Sequence, residues 1–405
     1  MRGAADVIVV GGGPAGVAAA VELRRNGVER VMLLEREADL GGATRHCSHS
    51  PFGMREFGRI YSGPAYARRL AAEAERHGVM VRAGHSVVSL HENARLTVAC
   101  NGVVSELEAK RIIMATGARE SSRAARLLPG DRPVGVLSTG ALQAYVALHG
   151  LMPFRSPVIL GSELVTFSAV LTCLRHGARP VAVVETLPYA LARTPASWFP
   201  NLAGIPFFRG AELLDIQGRT RVENVRISHG GITRDLACDG VLVTGRFVPE
   251  ASLFLSSGMG LAQAAQAPAI DQDGRCANPL YFACGNVLRA VETGGWAFRE
   301  GRAVGAAVAR DLAHPIAAPR VAVAFAPPIK LVVPGYVRAE DTARGALGEF
   351  QLRFTTRVRG ELSLELDGAR VWSRRGEFLP ERRVLVPMPT GLQAAQRISF
   401  CFREG

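Results

Sequence analysis

Three groups of residues in this chain have the types and spacing to do chemistry. In the first, Gly11, Gly13 and Gly16 form a GxGxxG series, and Glu35 follows 19 residues after the last glycine. A diphosphate reaches backbone amides only where no side chain intervenes. Gly13 therefore marks its point of approach, while Gly11 permits the tight turn and Gly16 lets a helix pack on a strand. A carboxylate at Glu35 accepts hydrogen bonds from both hydroxyls of a ribose and repels a 2′-phosphate. The second group repeats the series with substitutions: Gly161 keeps the turn, Glu163 and Thr166 stand where the other two glycines belong, and Glu185 keeps the acid. The third is Arg45, His46, Cys47 and His49. A Cys47 thiolate beside an imidazolium could serve as a redox or covalent centre. In the alternative, Cys47 packs in the interior and His49 or Arg45 hydrogen-bonds a bound ring system or a substrate. The lack of a resolving cysteine nearby favours the alternative. Two histidines at this spacing want a third ligand, so no metal site is expected.

These residues must be positioned by strands and helices. Asp6–Val10 reads as a buried strand running into the helix PAGVAAAVELRRNG, with Pro14 and Ala15 in its first turn, and Glu35 ends a second strand, RVMLLERE. The helix N-terminus then presents amides to the phosphate charge. Residues 158–186, VILGSELVTFSAVLTCLRHGARPVAVVET, have the same strand, turn, helix, strand rhythm. Two more apolar strands end in turns: KRIIMATGARE at Ala115, Thr116 and Gly117, and NPLYFACGNVLRAVETGGWAFREGR at Gly285 and Asn286. The fold class expected is α/β with two Rossmann-like dinucleotide-binding domains and a small C-terminal β-rich domain. Boundaries fall at 1–117 and 251–316 for a discontinuous first domain, 118–250 for an inserted second, and 317–405 for the third. In the last, AAPRVAVAFAPPIKLVVPG reads as a proline-bearing linker. The alternating runs after it, separated by DG and RRG turns, read as an antiparallel sheet.

Bulk properties exclude other classes. At 405 residues and 48% hydrophobic, the chain can bury a large core spread over two or three domains. Its apolar runs stop well short of the roughly 20 residues of a membrane span, and no signal sequence opens it. A cytoplasmic location is expected, with no transmembrane segment and peripheral membrane contact left open. The formal charge of +12 comes from 48 basic residues, of which only Lys110 and Lys330 are lysine. The arginines are scattered among acids and no nucleic-acid motif accompanies them, so a solvated surface or an acidic partner is expected rather than nucleic acid. Cys47, Cys100, Cys173, Cys238, Cys276, Cys284 and Cys401 form no CxxC pair, so neither an iron-sulfur nor a zinc site is written locally.

FAD and NAD share the first fingerprint. The ATG turn at 115–117 and the later strand ending in Gly285 and Asn286 resemble the two-dinucleotide-domain flavoproteins of the glutathione reductase type. That resemblance implies FAD in the first site, with Asn286 where the family carries an aspartate. It also implies cofactor contacts from Arg36, Gly42, Ala43 and Val88. Aligned on Gly41 and Gly42, the two cysteines of the disulfide reductases are Thr44 and His49 here, so their dithiol mechanism is excluded. The pattern GGxxRxCxHxxFG at 41–53, with GVLSTGALQ and GNVLRAVETGGWAFREGR, is closer to flavoprotein subunits of opine oxidases, hydrogen cyanide synthases and anaerobic glycerol-3-phosphate dehydrogenases.

In the second unit a carboxylate at Glu163 is expected to face the phosphate position, where a like-charge contact at ~4 Å costs on the order of several kcal/mol. NAD(P) binding is expected to be weakened or lost there. The function expected is an FAD-dependent oxidoreductase, a subunit of a multicomponent dehydrogenase or oxidase acting on a small amine, imino acid or hydroxy acid. Its expected partners are a second dehydrogenase subunit, an iron-sulfur electron carrier, or both. The alternatives are an NAD(P)H-dependent flavoprotein reductase and an assembly subunit with a structural flavin.

Overall fold

A computed structural model of the chain describes residues 5–262, 266–315, 319–338 and 345–405. The chain opens with β1 (Ala5–Val10), α1 (Pro14–Arg25) and β2 (Val31–Leu34), then passes through a 3-10 turn at Gly42–His46 into α2 (Met54–Phe57) and α3 (Gly63–Arg76). β3 (Met80–Arg82), β4 (Ser86–His91), β5 (Arg95–Cys100) and β6 (Val103–Met114) complete this part. β1 and β2 are apolar almost throughout because helices cover both faces of a parallel sheet. The sheet runs β3-β2-β1-β6-β5-β4. β6 serves it twice: its exposed first half pairs antiparallel with β5, and its buried second half lies parallel to β1.

β7 (Ala118–Glu120) leads to β8 (Val136–Ser138), α4 (Thr139–His149), β9 (Pro157–Leu160), α5 (Leu164–Arg175), β10 (Ala182–Glu185), α6 (Phe199–Leu202) and β11 (Phe207–Arg209). A three-stranded meander of β12 (Ala211–Gln217), β13 (Asn224–His229) and β14 (Ile232–Ala237) precedes β15 (Gly240–Val243). The second sheet, β11-β10-β9-β15-β8, is parallel throughout. The chain then returns along β16 (Phe247–Pro249), which pairs antiparallel with β7 to make a double connection. α7 (Ser252–Ser256), β17 (Leu261–Ala262) and β18 (Ala267–Pro268) lead to β19 (Tyr281–Ala283), which rejoins the first sheet beside β6.

α8 (Gly294–Ala313) then packs against α1. The approach is so close that a Cβ on Gly301 would lie 2.0 Å from the Ala15 carbonyl oxygen and one on Gly305 2.6 Å from that of Ala19. We propose the division into 1–117 with 251–316, 118–250 and 317–405, because the β7/β16 ladder carries the chain out of the first sheet and back.

The C-terminal part contains β20 (Arg320–Phe325), β21 (Ile329–Val333), β22 (Tyr336–Arg338), β23 (Glu349–Phe354), β24 (Val358–Leu366), β25 (Ala369–Phe378), β26 (Val384–Pro387) and β27 (Ile398–Glu404). They form a five-stranded sheet, β22-β20-β27-β24-β25, and a three-stranded sheet, β21-β23-β26, around a core that includes Phe350, Phe354, Phe378 and Phe400. Three sequence readings need correction. The stretch read as a linker forms β20 and β21, its prolines falling between strands or at their ends. The sheet is mixed, since β20 and β27 run parallel. Arg374–Gly376 continues β25 rather than turning, as an edge strand tolerates glycine. The DG turn is present: Asp367 (φ 49°) and Gly368 (φ 85°) join β24 to β25 in the two-residue form that suits hairpin twist.

Candidate functional site

The first turn is built as its glycines require. Gly11 has φ 107° and donates its N–H to Leu34 O at 2.8 Å. A Cβ on Gly16 would lie 1.8 Å from the Gly11 carbonyl oxygen, so only glycine lets α1 begin this close to β1. A Cβ on Gly13, by contrast, would meet nothing within 4 Å, which leaves open space in front of the turn. Gly13 is the N-cap of α1, without a side-chain cap, and Pro14 is the first helical residue. The first-turn amides of α1 are thus left for an incoming anion. Gly42 (φ 54°) closes one wall, where a Cβ would come 3.1 Å from Gly13 Cα. Glu35 is buried; its Oε2 accepts the Gly12 N–H at 2.8 Å and its Oε1 the Glu37 N–H at 3.0 Å.

Two further turns meet this cradle. The Ala115 N–H bonds Val10 O at 2.8 Å, Thr116 donates its hydroxyl to Glu250 O at 2.7 Å, and Gly117 (φ 79°) faces open space. Gly285 donates its N–H to Glu300 Oε1 at 2.6 Å and packs on Ala15. The Asn286 side chain is occupied on both sides by the Glu292 backbone, accepting its N–H at 2.8 Å and donating to its carbonyl at 3.2 Å. One Nδ2–H of Asn286 remains for a ligand beside its backbone groups. Arg36 is exposed beside Glu37, and Ala43 is exposed. Val88 stands half-exposed at a bulge of β4, whereas the segment that touches Glu35 and Glu37 is Arg82–His85, which sequence reading missed.

The Arg45, Cys47, His49 group is not gathered around one point. Arg45 donates to Asp39 O at 3.1 Å and pairs with Glu37 at 3.7 Å, on the Glu35 side of the cradle. Cys47 Sγ lies 3.4 Å from Gln143 Oε1 of α4, and burial, then the Glu120 charge, push its thiol up to about 11. His49 lies beside Phe52, with ring centroids 5.3 Å apart, and burial holds its imidazole below its ordinary range. A thiol with its pKa raised by burial, hydrogen-bonded to Gln143 rather than to an imidazole, is not poised for thiolate chemistry. Among the described residues no cluster of metal-ligating side chains occurs, and no helix is long and apolar enough to cross a membrane.

The second turn has the same backbone and different contents. Gly161 (φ 112°) donates to Val184 O at 2.8 Å, and Thr244, the counterpart of Ala115, donates its N–H to Leu160 O at 2.9 Å. Thr166 is buried, its hydroxyl 2.6 Å from that of Thr244. Glu185 accepts the Ser162 hydroxyl and the Leu187 N–H, and the same hydroxyl accepts the Leu191 N–H at 3.0 Å. Ser162 thus fills with a side chain what Gly12 leaves to its amide. Glu163 turns toward the loop after β15, where its Oε1 accepts the Arg246 N–H at 2.6 Å. Burial raises its carboxyl to about 7, opposed by the Arg246 hydrogen bond. Glu120, also raised by burial, bonds the Gly140 and Gly245 amides close by.

The fold and the paired turns define an oxidoreductase of the two-dinucleotide-domain class. The chain belongs to the pyridine nucleotide-disulphide oxidoreductase family, whose model matches residues 5–302. It is similar to one of the subunits of the opine oxidase of Agrobacterium tumefaciens, 24% identical over 312 residues that cover 69% of this chain and 61% of the relative. It is also similar to the hydrogen cyanide synthase subunit HcnB of Pseudomonas protegens, 33% identical over 191 residues, 44% of this chain and 38% of that one. The chain thus spans about three-fifths or less of the length of these relatives. A solved thioredoxin reductase from T. acidophilum shares the fold at a TM-score of 0.63 and 21% identity, covering 76% of this chain and 98% of that one.

Proposed function

We propose that this chain is the FAD-bearing subunit of a multicomponent dehydrogenase or oxidase. Its substrate would be a small amine, imino acid or hydroxy acid, and its electrons would pass to a partner subunit or electron carrier. The observation that carries the reading is the contrast between the two turns: Gly13 leaves open space before α1, whereas a glutamate, Glu163, stands at that position before α5 and Ser162 occupies the acid Glu185. The open turn fits a dinucleotide: Gly13 and the first-turn amides of α1 would hold the pyrophosphate, and Glu35 the adenosine ribose. The turns at Thr116, Gly117 and Asn286 would hold the remainder, with Gly285 letting the last of them approach α1. FAD bound there supplies two-electron oxidation of an organic substrate. The protein side contributes binding and exclusion: a buried neutral thiol at Cys47 does not attack, and Thr44 and His49 offer it no second sulfur for a disulfide. In this reading the nicotinamide route is closed, because Ser162 occupies Glu185, the acid that would take the ribose of a second dinucleotide. The relatives named as subunits of an opine oxidase and a cyanide synthase support an assembly role.

The test is anaerobic. Purified protein should carry a yellow flavin that NADH and NADPH bleach slowly if at all, and that bleaches rapidly once the copurifying partner and its substrate are present. Protein that stays colourless after incubation with FAD would overturn the reading. Rapid bleaching by NADH alone would select the NAD(P)H-dependent reductase instead.

A further inference from the structure

Trp296, in the first turn of α8, is surrounded by cations that the reading above leaves without a role. The guanidinium carbons of Arg55, Arg299 and Arg383 lie 4.9, 4.8 and 3.8 Å from its ring centroid. They come from three places: α2, α8, and the segment just before β26 in the C-terminal domain. Cation-π contacts contribute about 0.5–1 kcal/mol each at exposed sites, too little to gather three like charges unaided.

The nearby carboxylates are engaged elsewhere. Glu292 bonds Arg383 at 2.8 Å but is shared with Arg353, and Glu300 pairs with Arg289. Glu56 sits beside Gly295 and takes the Tyr66 hydroxyl at 2.5 Å. Arg55 and Arg299 make no ion pair or hydrogen bond among the described residues, and both are exposed. Burial, and the cations Arg353, Arg289 and Arg55, draw Arg383 below its ordinary value against the pull of Glu292. The site therefore carries unneutralised positive charge in a fixed geometry.

It also borders the cofactor cradle. A Cβ on Gly294, two residues before Trp296, would lie 3.8 Å from Pro14, Phe52 and Tyr66.

We propose that Arg55, Arg299 and Arg383 around Trp296 form a carboxylate-binding site for a small organic acid. Planar guanidiniums match carboxylates through paired N–H donors, and the indole they stack on gathers them in one place. More than one guanidinium suits a ligand with two carboxylates. This substrate class rests on the proposed function. The site itself also gives the C-terminal domain a part in binding, since Arg383 reaches Trp296 only when that domain is docked.

The experiment uses iminodiacetate as probe, a dicarboxylate with a central amine, titrated by calorimetry into the purified full chain at low salt. One-site binding is expected with a dissociation constant below about 1 mM, weakening as salt rises. The uncharged diamide of the same acid should not bind. Arg55→Gln/Arg299→Gln removes two exposed cations that lie over the Trp296 ring, and should weaken iminodiacetate by about tenfold or more with flavin absorbance unchanged. No binding by wild type at about 10 mM probe, equal binding of acid and diamide, or equal affinity in the double variant each overturns the proposal. So does binding of an acidic peptide alone, which would make this a protein contact. Flavin content is read separately, so colourless protein that still binds iminodiacetate would defeat the proposed function and leave this site standing.

Discussion

Ala5–Glu35 and Pro157–Glu185 follow the same path. In each, the turn glycine donates its N–H to the neighbouring strand at 2.8 Å, Gly11 to Leu34 and Gly161 to Val184, and a buried glutamate closes the second strand. They part at the side chains that follow the turn. Gly16 leaves no room for even a methyl group, while Thr166 occupies the same position and bonds Thr244. Glu35 takes the Gly12 amide directly, whereas Glu185 takes the Ser162 hydroxyl. The comparison teaches that a Rossmann turn can keep its backbone while the side chains around it change. Strand pairing and core packing preserve the fold, and a few side chains decide whether a ligand fits.

The largest expected effect tests the backbone half of that comparison. Gly16→Ala places a carbon against the Gly11 carbonyl, so α1 must shift away from β1, and the shift propagates to α8 through Ala15 and Gly301. We expect a loss of about 3 kcal/mol or more in urea unfolding, with flavin lost. Thr166→Ala removes one hydroxyl pair and should cost about 1 kcal/mol, because Thr244 keeps its bond to Leu160 O at 2.8 Å. Equal costs at the two positions would erase the distinction.

Next in size is Gly13→Val. Gly13 has φ −74° and ψ −176°, an extended conformation that any residue adopts, and open space in front. The variant should fold with wild-type stability and bind FAD at least about 100-fold more weakly, which is about 2.7 kcal/mol, read by flavin absorbance after dialysis. Glu163→Val, at the matching position of the second unit, should leave flavin content untouched.

The first unit was legible in the sequence because its glycines stand where sterics leave no alternative. The missing second cysteine argued from sequence alone against dithiol chemistry at Cys47, whereas its contact with Gln143 was not legible. The C-terminal strands were legible as a β-rich domain, except that β20 and β21 were misread as a linker because Pro327, Pro328 and Pro334 punctuate them in a way that a linker would share. The orientation of Glu163 and the plug at Ser162 were not legible, because both depend on where distant backbone, Arg246 and Leu191, comes to lie. The same holds for the buried network of Arg289, Glu292, Gln351 and Arg353, whose members are joined only by the docking of the last domain.

A smaller effect follows from Glu163 and its pH dependence. Its carboxyl rises to about 7 on folding from an ordinary 4.5, with Arg246 as its amide donor and Glu120, Arg126 and Glu381 as the charges that face it. Between those values the folded chain holds a proton that the unfolded chain has released, so stability falls as pH rises through that window and the penalty is complete above it. Glu163→Gln keeps the acceptor for Arg246 and removes the penalty. We expect a gain of about 2 kcal/mol at pH 8 that vanishes near pH 4.5, measured by paired urea melts. A gain equal at both pH values would place the effect in packing rather than charge.

The smallest effect is the most discriminating, because it asks whether the second turn can be reopened. Glu163→Gly/Thr166→Gly removes the carboxylate beside Gly245 and the side chain that holds the start of α5 off β9, restoring two of the three glycines of the first unit. NADH affinity should rise by about tenfold, or about 1.4 kcal/mol, in calorimetry on the FAD-loaded protein. The rise is limited because Ser162 still occupies Glu185, so adding Ser162→Gly should increase it further by freeing that carboxylate for a ribose. NADPH should lag behind NADH, since Glu185 repels a 2′-phosphate. If wild type already binds NADH at micromolar concentration, the second turn is an open site, and the contrast between the two units lies in sequence alone.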